Sequence, residues 1–170
     1  MSRRDLFFKW SVYALGLLLV WMVDFHILPF LPTLGISPML LPVAVAVVAV
    51  LEGSHGGAGF GMGVGLAWEL LYPGGSGGRV IAMALAGMLA GSISQFALRR
   101  SLLGSFLCSA LILVLLDGYR VLDGLLNGLA PLGSMLPLAL GEIALSLLWT
   151  PLIYLLFSRI YRRVGGSKLA

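Results

Sequence analysis

Residues 102–126 read LLGSFLCSALILVLLDGYRVLDGLL. The stretch opens on a long uncharged apolar run, and its full length matches the ~20 residues a helix needs to cross the hydrocarbon of a bilayer. Its last third places Asp117, Arg120 and Asp123 three residues apart, a spacing at which neighbours on a helix can pair. A span of this kind, apolar first and polar at one end, sets the pattern for the rest of the chain. Of 170 residues, 59% are hydrophobic and only 11% are charged, against about a quarter charged in an ordinary soluble domain. The mean hydropathy is +1.03. A water-exposed surface needs more charge than this, so the apolar runs belong in lipid.

Similar segments occupy 6–30, 33–51, 56–72, 80–98 and 132–157. With 102–126 they predict an all-α polytopic membrane bundle of about six transmembrane helices, residues 1–170 forming one integral membrane domain. The second segment is short between Pro38 and Leu51, carries Pro42 near its start, and reaches span length only when extended back to Thr33. Pro73-Gly74-Gly75-Ser76-Gly77-Gly78 is a breaker and turn. Pro137 and Pro151 interrupt the sixth segment. The first lacks a small-residue cleavage site and is followed by further spans, so it is expected to be a retained helix. The strand-like alternation of a membrane β-barrel is absent.

Cytoplasmic segments of membrane proteins hold an excess of Lys and Arg. With six crossings and a cytoplasmic N-terminus, Arg3, Arg4, Lys9, Arg99, Arg100, Arg159, Arg162, Arg163 and Lys168 fall inside. Arg79 and Arg120 alone fall toward the outside. Five crossings would put the C-terminal basic group on the wrong side. Both termini are therefore expected in the cytoplasm. The basic clusters read as topology signals, and no nucleic-acid partner is expected. The lone Cys108 lies in an apolar stretch, with no second thiol for a disulfide or a metal site.

Gly57, Gly59, Gly61, Gly63 and Gly65 alternate along the third segment, and Gly87 and Gly91 repeat the four-residue spacing in the fourth. In lipid such spacing lets helix backbones approach closely. The two segments are expected to pack tightly on each other or on a partner. The glycines do not make a G-x-G-x-x-G nucleotide fingerprint, and no strand precedes them.

Ionisable residues at membrane depth are costly and point to function by default. Asp24, Glu69, Arg79, Asp117, Arg120 and Glu142 all converge on the outer half of the bilayer in the six-helix arrangement. They form either a polar network that fixes helix register or a cavity that binds a ligand or a partner helix. Arg79 is a candidate partner for Glu69 or Glu142. His26, in the same half, reads as an interfacial residue. Trp10, Trp21, Trp68 and Trp149 suit the interface belts. No nucleophile, base and oxyanion donor assemble in the sequence, so catalysis, cofactors and metals are not expected.

Gly59-Phe60-Gly61-Met62-Gly63, then Glu69-Leu70-Leu71, then Gly77-Gly78-Arg79-Val80-Ile81-Ala82-Met83-Ala84-Leu85, together with Leu148-Trp149-Thr150-Pro151-Leu152, resemble the rod shape-determining protein family MreD. Asp117 falls where that family often has an acidic residue. Glu69 departs from the aspartate expected at its position, and Thr150 is inserted in the terminal Leu-Trp-Pro stretch. The resemblance implies a non-catalytic component of the bacterial inner membrane. Its implied partners are a bitopic MreC-like protein and, indirectly, cell-wall synthases and MreB filaments of the elongation complex. It also implies a fold similar to the substrate-binding subunits of energy-coupling-factor transporters. The alternative function is therefore such a subunit, with Ala82, Ala86 and Ala90 at the spacing of a docking helix.

Overall fold

The computed structural model describes residues 3–27, 36–71, 78–96, 101–126 and 132–164. Among these, six α-helices follow one another without a strand: α1 Arg3–Met22, α2 Leu40–Glu52, α3 Ser54–Leu71, α4 Gly78–Phe96, α5 Leu102–Leu126 and α6 Leu132–Val164. A π-helical turn, Val23–Ile27, continues α1. The back-extension of the second segment to Thr33 lies outside the described residues.

α2 sits in the middle. Its sequence, LLPVAVAVVAVLE, is apolar on every side, and each residue from Leu40 to Leu51 is buried. A helix hydrophobic all round has to be surrounded, and α1, α3, α4, α5 and α6 all pack against it. Pro42 lies in the first turn, where its missing N–H removes no intrahelical bond. The helix stops at Gly53, whose φ of +88° is open to glycine and strained for other residues. The Gly53 N–H donates to Ala49 O at 2.8 Å, and α3 starts at the next residue.

α3 and α4 form the tightest pair, and glycine is the reason. A methyl group added at Gly57 would stand 2.5 Å from Gly87 O, one at Gly61 2.2 Å from Met83 O, and one at Gly65 2.6 Å from Val80 Cα. From the other side, a methyl group added at Gly87 would collide with Gly57 O, and one at Gly91 with the backbone of Gly53 and Ser54. The pairing of early α3 with late α4 makes the two antiparallel. Gly59 and Gly63 do not join this contact: a Cβ at either meets nothing within 4 Å. They lie exposed on the opposite face with Met62, Leu66 and Leu70.

α1 leans on α6. Gly16 allows Ile160 and Phe157 to approach, and the Tyr13 ring stacks on Phe157 with centroids 6.0 Å apart. The rest of α1 is bare: Phe7, Phe8, Leu15, Leu18, Leu19, Met22 and Phe25 are exposed. Bare leucine, valine and phenylalanine also line α5, and bare leucines line α6. Three helical stretches, Arg4–His26, Leu102–Leu122 and Met135–Val164, are long and apolar enough to cross a membrane. α2 is apolar but shorter, with 13 residues. In α3 and α4, glycine and a few polar residues dilute the apolar content. The structure is thus a six-helix bundle with three long membrane-length helices, coarser than the six spans expected from hydropathy.

Candidate functional site

The first turn of α2 exposes backbone N–H groups that no intrahelical carbonyl satisfies. Met39, just before it, carries no capping side chain. Neighbouring helices supply the caps. Ser146 of α6 accepts from Met39 N–H at 2.7 Å, and Asp24, in the π-helical turn after α1, accepts from the Leu40 amide. Ser146 Oγ in turn donates to Glu142 O at 2.6 Å, one turn back on α6. A carboxylate at a helix N-terminus is also favoured by the helix dipole. Two polar residues at membrane depth therefore have a local physical reason: they hold the start of the buried helix.

Beside this start lies a charged triplet. Arg120 Nη1 donates to Glu142 Oε2 at 2.9 Å and to Asp117 Oδ1 at 3.3 Å, and lies 4.0 Å from Met39 Sδ. Asp117 and Arg120 are three apart on α5, so one face of that helix presents both. Glu142 comes from α6, which runs antiparallel alongside. Burial grades across the triplet: 3% of the Asp117 side chain is exposed, 21% of Glu142 and 56% of Arg120. Arg120 is the rim, and Asp117 is the floor. Asp117 Oδ2 is buried with no hydrogen-bond partner.

The expected outer gathering is thus brought together for Asp117, Arg120 and Glu142, with Asp24 tied to the same helix start. Glu69 and Arg79 stand apart from it, on the α3–α4 pair. Arg79 lies over the Trp68 ring, 6.0 Å from its centroid, and makes no ion pair with Glu69 or Glu142 among the described residues. Glu69 Oε1 is buried and unpartnered. The side chain of Asp123 lies outside the described residues.

A second polar group closes the opposite end and was not legible in the sequence. Lys9 Nζ donates to Glu52 Oε2, and Tyr13 OH donates to Glu52 Oε1 at 2.6 Å. Both charged side chains are nearly buried. Tyr13 belongs to an aromatic set with Trp10, Phe60 and Phe157. The pair is 43 residues apart in sequence, so no local spacing announces it. Lys9 reads as part of the basic N-terminal tail until the fold places it.

The hydroxyls of Ser105, Ser109 and Thr150 are buried without partners, and Cys108 Sγ lies 3.7 Å from Ala90 O. Among the described residues, no three His, Cys, Asp or Glu side chains are grouped to hold a metal ion. No protein-family model, curated protein or solved structure matches the chain.

Proposed function

We propose that the chain is a non-catalytic component of the bacterial inner membrane that crosses it six times, keeps both termini in the cytoplasm, and scaffolds partner membrane proteins of the cell-elongation complex. The MreD-like motifs in residues 59–85 support this reading, because they fall on one structural unit, the α3–α4 pair. One observation carries it furthest. α3 uses Gly57, Gly61 and Gly65 against α4, yet keeps Gly59 and Gly63 on a face where nothing among the described residues packs against them. Glycine inside a helix costs about 1 kcal/mol relative to alanine. In lipid, a small-xxx-small face is what a single partner helix packs against.

Co-purification from native membranes in mild detergent tests the proposal. A bitopic MreC-like protein should come with the chain in stoichiometric amount. Its absence would count against the scaffold. The alternative, a substrate-binding transporter subunit, is less well supported. Ala86 and Ala90 are already packed inside with Ala46, Ala49, Val50, Cys108 and Ile112, so this stripe is not free to dock an energising subunit. A vitamin retained through purification and seen by native mass spectrometry would reverse that preference.

A further inference from the structure

Among the described side chains, Asp24, Glu69, Asp117 and Glu142 lie in the half of the bundle where α2 begins, and the basic residues described there are Arg79 and Arg120. Arg79 is occupied over Trp68. Asp24 is served by the Leu40 amide and the dipole of α2. That leaves Asp117 and Glu142 sharing one guanidinium, and the share is uneven. Arg120 sits closer to Glu142 than to Asp117, and the buried Asp117 Oδ2 has no donor among the described residues.

We propose that the Asp117–Arg120–Glu142 triplet is a docking site for a basic side chain, Arg or Lys, carried near the outer end of a partner's transmembrane helix. Glu142, the less buried of the two carboxylates, takes the incoming cation. Arg120, released from Glu142, closes its planar fork on both oxygens of Asp117, a geometry that guanidinium suits and a neutral amide does not. Two carboxylates then face two cations, and the orphaned oxygen gains its donor. A metal ion does not fit the same need, because no third ligand stands within the group among the described residues. The site is open at its rim, since more than half of Arg120 is exposed.

This inference rests on the scaffold reading for the partner being a protein. Its test does not. The full-length chain is placed in nanodiscs with a fluorescent leucine–alanine helix of about 23 residues bearing one Arg near its outer end, or Gln at the same place. The Arg helix should associate about ten-fold more tightly than the Gln helix, the scale of one polar contact between helices in lipid. In Glu142→Gln the preference should vanish while association of the Gln helix stays unchanged, which also reports that the bundle is intact. Equal association of the two helices with the unaltered chain overturns the proposal without any variant being needed. Retention of the preference in Glu142→Gln overturns it as well. If the elongation partner co-purifies while the Arg preference is absent, the scaffold stands and this site falls.

Discussion

At the scale of single residues, the Lys9–Glu52 pair is where the fold is most exposed to one substitution. Taking two charges out of water is costly, and attraction offsets that only when both partners are present and the remaining lone pairs are satisfied. Here Tyr13 satisfies the second carboxylate oxygen. Lys9→Met leaves the Glu52 carboxylate nearly buried without its cation, at a cost of roughly 3 kcal/mol. The detergent-solubilised protein should melt at a clearly lower temperature. Adding Glu52→Gln removes the stranded charge and should recover most of the loss, a coupling that a double-mutant cycle measures directly. A double variant as unstable as the single one would show that the pair's electrostatics do not govern this end. The residue scale is also where the sequence says least. Asp117 and Arg120 announce each other by spacing, but Glu142, Lys9 and Glu52 find their partners only across helices. Spacing along one chain carries no information about which helices become neighbours.

At the scale of elements, the two glycine sets of α3 make opposite predictions. A leucine at position 61 must push through Met83 O and its carbonyl carbon, both backbone atoms that cannot swing aside. Gly61→Leu should therefore separate α3 from α4 and lower both yield and thermal stability. Gly63→Leu meets open space. It should leave stability level or raise it slightly, since leucine is the better helix former by up to ~1 kcal/mol. If the bare face seats the partner helix, Gly63→Leu should still reduce partner recovery. Unchanged recovery alongside unchanged stability would assign that face to lipid. The four-residue spacing was legible in the sequence, but it holds for both sets alike. Only the position of α4 separates the glycines in use from those left bare. The helices themselves were legible because apolar runs alternate with Pro- and Gly-rich breaks. The length of α2 was not. Hydropathy measures apolarity, and residues 36–39 are apolar enough to extend the run while remaining non-helical.

At the scale of the whole molecule, α2 bears on the number of crossings. At about 1.5 Å per residue, its 13 residues cover about 20 Å, short of the ~30 Å of hydrocarbon. A lone helix of that length could not span. α2 is not alone: protein surrounds it, and its first amides are capped by Asp24 and Ser146. Irregular backbone at membrane depth is tolerated where protein lines it, so the proposed six crossings require residues 36–39 to extend the path of α2. The contacts at its two ends agree with this. Its start lies by the end of α1, at Asp24, and its end lies by the beginning of α1, at Lys9. α1 and α2 therefore run in opposite directions, as do α3 and α4, and α1 and α6. The end of α6 therefore lies on the same side of the bundle as the start of α1, the arrangement that the proposed six crossings require. Single-cysteine labelling checks the count in a chain whose buried Cys108 is replaced by Ala. Lys168→Cys should react with an impermeant thiol reagent only after the cytoplasmic face is opened, and Ser76→Cys should react from the periplasm in intact spheroplasts. Labelling of position 168 from outside would make the number of crossings odd. It would also remove the basis for placing the acidic half of the bundle toward the periplasm, where a partner's arginine is expected to meet it.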